Sequence, residues 1–152
     1  TATMLLLTPG TSQVYYGDES SRDLTIEGTV GDATLRSFMN WGDINNNKET
    51  QEILAHWQKI GQFRANHMAV GAGKHQLISE KNGLVFSRER KDDKIVVGIN
   101  LPKGNKEINV SSIFKDGEKV NDFYSTQTLI VKDGKVVVNS DFDIVLLEKS
   151  KK

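Results

Sequence analysis

The hydrophobic pattern changes character about halfway along the chain, after Gly73. In the second half apolar and polar residues alternate with a period of two, the spacing that sends successive side chains to opposite faces of a strand. His75–Glu80, Leu84–Arg90, Lys94–Leu101, Glu107–Val110, Lys119–Tyr124, Thr128–Lys132, Lys135–Asn139 and Asp143–Glu148 all carry it. Between them lie Asn82-Gly83, Asp92-Asp93, Asp116-Gly117 and Asp133-Gly134. Asn and Asp tolerate a left-handed backbone and glycine adopts it freely, so these pairs read as hairpin turns. The clearest hairpin joins Thr128-Leu129-Ile130-Val131 to Val136-Val137-Val138. About eight short strands without a helix predict an antiparallel β-sandwich of Greek-key type over 74–152.

The first half, 1–73, follows other periods. A short apolar run from Ala2 to Leu7 ends at Pro9-Gly10, and Ser12–Tyr16 is rich in strand-forming residues. A polar loop then runs from Gly17 to about Asn47, with glycines at 28, 31 and 42. Asn46 followed by Glu49 resembles a capping box. Beyond it Ile53, Trp57, Ile60 and Phe63 or Arg64 recur at spacings of three and four, beside Leu54 and Gly61. They predict a helix with one apolar stripe, ended by Gly71 and Gly73. At about 1.5–3 kcal/mol per buried apolar side chain, an uncovered stripe forfeits roughly 10 kcal/mol. That is comparable to the whole stability of a domain, so helix 50–66 is expected to pack on the sandwich or self-associate with a second copy.

A strand with no neighbour, a loop and a helix form one βα unit of a larger barrel. The expected fold is therefore mainly β: a sandwich preceded by a strand-loop-helix remnant of a (β/α)8 barrel. The chain opens at Thr1 and enters Met4-Leu5-Leu6-Leu7 almost at once. Tails are usually polar, so the expected partner of these leucines lies upstream.

Composition narrows the chemistry. Twenty basic and twenty acidic residues cancel, which disfavours nucleic acid, whose binders need a basic face to displace counterions. The run Ala2–Leu7 is too short to span a bilayer and lacks the basic flank of a leader, so no membrane partner is expected. With no cysteine, disulfides, thiol nucleophiles and cysteine-held metals are excluded, though no compartment follows.

The segment Leu6-Leu7-Thr8-Pro9-Gly10-Thr11-Ser12-Gln13-Val14-Tyr15-Tyr16-Gly17-Asp18-Glu19 resembles the α-amylase family, glycoside hydrolase family thirteen. There a Pro-Gly turn precedes the eighth barrel strand, which reads apolar-Tyr-Tyr-Gly-acid-Glu. Arg36, Met39 and Trp41 match the family's arginine before Met-x-Trp; Arg64, His67 and Gly71 or Gly73 match the end of its last barrel helix. Phe38 and Met68 depart from it, standing where proline is frequent. The resemblance covers essentially the whole chain and implies a C-terminal fragment: the barrel's end followed by domain C. The parent it implies hydrolyses α-1,4-linked glucans such as starch with retention of configuration.

Retention needs two carboxyl groups roughly 5 Å apart. The resemblance puts the nucleophile aspartate, the acid/base glutamate and a His-Asp pair at earlier strand ends, upstream of Thr1. His56, His67 and His75 are followed by Trp57, Met68 and Gln76, so no His-Asp is present. The isolated chain is expected to be inactive. Asp18 and Glu19 are adjacent, and neighbours on a strand face opposite ways, so they do not suit a catalytic pair.

Tyr16, Asp18, Glu19 and Arg36 are the candidate substrate-binding residues, on a barrel rim built at strand ends. The competing role for the same block is purely structural, with Arg36 pairing to Asp18 or Glu19. Trp57 lies on the helix stripe and reads as core, whereas Trp41 sits in a polar loop and is open to sugar stacking. Asp92-Asp93 and Asp141-x-Asp143 read as turns rather than calcium ligands. No cofactor is expected in this fragment; calcium stays open for the parent, whose ligand is the α-glucan. A non-catalytic carbohydrate-binding β-sandwich is the alternative reading.

Overall fold

The computed structural model describes residues 1–150. They divide into two compact units, one of Thr1–Leu6 with Thr11–Gln62, the other of Leu7–Gly10 with Phe63 onward.

The second unit is the sandwich. It holds β1 (Lys74–Ser79), β2 (Leu84–Arg90), β3 (Asp93–Ile99), β4 (Gly104–Asn109), β5 (Lys119–Asp122), β6 (Gln127–Ile130), β7 (Lys135–Ser140) and β8 (Val145–Lys149). All eight expected strands are present, each within a few residues of its expected limits. Six form an antiparallel sheet in the order β1-β2-β3-β8-β5-β6, and β4 pairs with β7 in a second sheet. Strand β8 returns to lie beside β5 while β5 pairs with β6, and β6 hands on to β7 across the Asp133-Gly134 turn. The return of β8 between β3 and β5, with β4 and β7 in the second sheet, means that the chain crosses between the sheets rather than running as a simple meander.

Turn chemistry sets the register. Asn82 and Gly83 both have positive φ (60° and 114°), as do Asp133 and Gly134 (51° and 71°), the geometry that matches strand twist in tight hairpins. The β2–β3 turn uses Lys91 at φ 55°. Asp93 is thereby released into the strand instead of serving in the turn. Inward positions of both sheets, among them Val96, Val120, Val138, Val145 and Leu147, make one buried core with Val110 just after β4.

The first half of the chain departs from expectation in four places. Residues 12–16 are not a strand: among the described residues no strand pairs with them, and a strand forms a ladder only with a partner. The loop is not featureless, because short 3₁₀ turns occupy Asp18–Ser20 and Gly31–Arg36, and α2 occupies Trp41–Asn46. The long helix α3 spans Lys48–Asn66, following α1 (Ala2–Leu7) in the chain.

The cap of α3 is Asn47, not Asn46. The Asn47 carboxamide oxygen accepts from the Thr50 amide at 3.1 Å, while Asn46 is spent on α2, donating to the Gly42 carbonyl at 2.9 Å. Nor do the glycines end α3. It stops at Asn66, and a separate turn α4 (Met68–Ala72) follows, with His67 extended between them. Trp57, Ile60 and Phe63 of the stripe are buried, as core residues should be, and Ile53 and Leu54 are half-buried. No helix among the described residues is long and apolar enough to cross a membrane.

Candidate functional site

The segment Tyr15–Glu19 is shaped by one residue that sequence reasoning missed, Arg22. Its guanidinium is buried and donates to the carbonyls of Tyr16 (3.1 Å), Ser37 (3.0 Å) and Leu35 (3.0 Å), and also to the Ser37 hydroxyl. It lies 4.1 Å from the centre of the Tyr16 ring and 5.7 Å from that of Tyr15. A buried cation without a carboxylate is tolerable only when carbonyl dipoles and ring faces solvate it, and Arg22 has both. Gly17 makes this possible. Its φ is 86°, and a Cβ there would come within 2.7 Å of the Cβ and Cδ of Arg22.

The predicted site residues gather around this clamp. The Tyr16 hydroxyl donates to the Ser37 carbonyl at 3.0 Å, which fixes the ring against the loop. One Asp18 oxygen accepts from the Tyr15 amide at 3.1 Å, and one Glu19 oxygen accepts from the Gly17 amide at 3.0 Å. Both carboxylates are thus engaged in holding the turn they belong to. Arg36 ends its 3₁₀ turn exposed, and among the described residues it forms no ion pair with Asp18 or Glu19. The expected partnership fails because Arg22, nearer in the folded loop, organises the segment, while the two acids bond to backbone.

A second tie closes the loop: Ser20 donates its hydroxyl to the Asn40 side-chain oxygen at 2.7 Å, and the Asn40 amide returns to the Ser20 carbonyl at 2.9 Å. Beside the clamp a groove of 410 Å³ is lined by Leu6, Val14, Tyr15, Tyr16, Leu54 and Trp57. Trp41 is 64% exposed at the start of α2.

The other unit carries a polar cluster that sequence reasoning reached only in part, through His67 and Arg64. His67 Nδ1 lies 2.6 Å from Asp93 and Nε2 lies 2.6 Å from Glu148, and the other Asp93 oxygen accepts from the Ala69 amide at 2.7 Å. Phe63 packs on the His67 ring, with centroids 4.5 Å apart. Arg88 and Arg64 take the carbonyls of the Leu7–Gly10 turn: Arg88 bonds Leu7 at 2.6 Å, and Arg64 bonds Thr8 at 2.9 Å. Among the described residues no group of three His, Asp or Glu is arranged to hold a metal ion.

Neither cluster pairs two free carboxyls across an open cleft. What they assemble is a braced turn and a braced helix end. No family model matches the chain. The chain is, however, 48% identical over 96 residues to the periplasmic α-amylase of Escherichia coli K12, which covers 63% of this chain and 14% of that protein.

Solved amylase structures share its fold over almost its full length. An Anoxybacillus α-amylase aligns with TM-score 0.67 and 22% identity, covering 99% of this chain and 32% of the other. The α-amylase of Geobacillus thermoleovorans, solved with acarbose, aligns with TM-score 0.70 and 18% identity over 99% of this chain and 32% of its own. An amylase named AmyP, solved with maltose, aligns with TM-score 0.72 and 16% identity over 97% of this chain and 33% of its own. At those identities the likeness is one of fold. The chain is therefore similar to part of an α-amylase, consistent with a C-terminal part, and the resemblance read from Tyr15–Glu19 and the sandwich is upheld.

Proposed function

We propose that this chain is the C-terminal part of an α-amylase-like glycoside hydrolase that cleaves α-1,4-linked glucans with retention, and that the part itself is structural. The observation that carries the reading is the braced segment Tyr15–Glu19. Its backbone turns at Gly17 into the 3₁₀ turn of Asp18–Ser20, its tyrosines are partly exposed, and its acids accept from the Tyr15 and Gly17 amides, as suits the rim of a larger barrel. Similarity to the E. coli enzyme supports the parent's class. In the parent, Tyr16 would border the glucan while Asp18 and Glu19 hold the rim, and Arg36, free of those acids, would face solvent or sugar.

Incubating the 152-residue chain with soluble starch and measuring reducing ends is expected to show no turnover; measurable hydrolysis would overturn the structural role. The residues encoded just upstream supply the second check. An aspartate, a glutamate and a His-Asp pair at three successive strand ends are expected, and an unrelated upstream domain would overturn the parent's class.

A further inference from the structure

The sandwich carries a further chemical signal on the layer that faces away from α4. Arg88 of β2 donates to the Val70 carbonyl of α4, while Val85, on the opposite face of the same strand, packs with Ile108, Val136 and Val138 of the β4–β7 sheet. The β4–β7 sheet is therefore the layer opposite α4. Along β4 the side chains alternate: Lys106 and Ile108 are buried, whereas Asn105, Glu107 and Asn109 are exposed.

Asn109 opens the triplet Asn109-Val110-Ser111, the sole Asn-x-Ser or Asn-x-Thr of the sequence, without a proline inside it. That triplet is the acceptor signal for N-linked glycan transfer. Three residues recur by chance, so geometry decides whether the signal can serve. Asn109 ends β4, and Ser111 is exposed in the turn that follows. Val110 between them is buried, its amide donating to the Gly134 carbonyl and its carbonyl accepting from the Ile113 amide. The triplet is thus anchored at its middle, with both ends turned to solvent. The Asn109 Oδ1 accepts from the Ser111 amide at 3.0 Å and from the Ser111 hydroxyl at 2.8 Å. Both bonds fall on the oxygen, and among the described residues Nδ2 carries none. Donors on Oδ1 stabilise the negative charge that collects there as Nδ2 gives up a proton, which makes the nitrogen a nucleophile.

We propose that Asn109 is an N-glycosylation site, its substrate an oligosaccharide carried on a lipid diphosphate and presented by an oligosaccharyltransferase. Nδ2 bonds the anomeric carbon of the first sugar, the bond from that carbon to the diphosphate oxygen breaks, and its electron pair leaves with the lipid diphosphate. The proton lost from Nδ2 passes to a base of the transferase. The place of the acceptor gives the modification a use. Among the described residues β4 has a ladder partner on one side only, and a hydrophilic glycan at its end shields that open edge from other strands. The inference is independent of what the parent hydrolyses.

The test incubates the folded chain with an oligosaccharyltransferase and a lipid-diphosphate-linked oligosaccharide, followed by mass spectrometry of the intact product. The expected result is one adduct of the glycan's mass on the 16.9 kDa chain, mapped by peptide fragmentation to Asn109. Asn109→Gln and Ser111→Ala are each expected to lose the adduct, and Ser111→Thr, which keeps the hydroxyl, to retain it. A polar tail bearing an Asn-x-Ser triplet, fused to the chain, reports on the transferase in the same reaction. Modification of the tail with Asn109 left bare would overturn the inference. So would an adduct that survives Ser111→Ala, or one that forms only on a chain unfolded beforehand.

Discussion

The two units of this chain achieve order by opposite means. In the sandwich the ordering elements are apolar: valines and leucines of both sheets meet in one buried core, and the ladders of eight strands satisfy the backbone. In the loop of the first unit, residues 15–40, they are polar. One buried arginine gathers three carbonyls, a hydroxyl and two ring faces, a serine–asparagine pair closes the loop, and apolar side chains point outward. The contrast teaches that a region with regular turns and exposed hydrophobics can be specific without being self-sufficient. Its polar frame fixes shape, whereas many of its apolar side chains are left exposed.

The sharpest way to break this contrast is to attack each unit through its own device. Leu147 lies in the closed core on β8. Leu147→Ala is expected to cost about 2–5 kcal/mol, the range for a large-to-small change in a packed interior. Denaturant unfolding followed by circular dichroism should register it as a lower midpoint for the strands. An effect below about 1 kcal/mol would mean that the sandwich is not held by this core.

Arg22→Met removes the frame of the other unit while keeping an apolar stem of similar length. Hydrogen bonds to a charged group contribute about 1.5–3 kcal/mol each, but the carbonyls it releases can turn to water, so the net local loss is expected near 3 kcal/mol. Amide hydrogen exchange across residues 15–38 should quicken by roughly a hundredfold. Exchange in β3 and β8 should hardly change. Gly17→Ala is expected to act in the same direction and more weakly, since it places a methyl against the Arg22 side chain at a positive φ. Equal loss of protection in both units would show that they are not separate.

These devices differ in how far a sequence reveals them. Asn82-Gly83 and Asp133-Gly134 announce their turns because the left-handed backbone they adopt is a property of two adjacent residues. The stripe Trp57, Ile60, Phe63 is legible because burial on a helix is periodic. Arg22 has no such signature. Its partners stand 6, 13 and 15 residues away, brought together only when the loop closes. The cap of α3 was displaced by one position for a related reason: Asn46 and Asn47 are chemically identical candidates, and α2, which periodicity did not show, occupies the first. His67 was marked by its place at a helix end, but Asp93 and Glu148 lie 26 and 81 residues on and carry no local sign of joining it.

Titration sharpens the comparison by a smaller effect, confined to the sandwich. Burial, with Asp143 nearby, pushes the Tyr124 phenol above its ordinary 10.0. The folded protein then keeps that proton where the unfolded chain has lost it. Its contribution is whole below pH 10.0 and declines as pH climbs through the folded value. Burial pushes the Lys106 amine the other way, below 10.5, so its contribution grows as pH rises toward that value. Tyr124→Phe removes the declining component alone. Its melting temperature relative to the parent chain is expected to improve above pH 10.0 and to be flat below; a constant difference across the range would show that the phenol does not titrate in this window.

The smallest expected effect tests the claim about outward side chains most directly. Phe38 is 99% exposed and stands where a core-forming residue of its size would normally cost several kcal/mol to truncate. Because it touches almost nothing in its own chain, Phe38→Ser is expected to change folding stability by no more than about 0.5 kcal/mol when measured in dilute solution. Leu147 and Phe38 are both large and apolar, so size and hydrophobicity alone predict similar costs for the two. A loss of about 2 kcal/mol at Phe38 would place it in a core and erase the distinction between the units. A negligible one would show that its ring contributes nothing to this chain's own core.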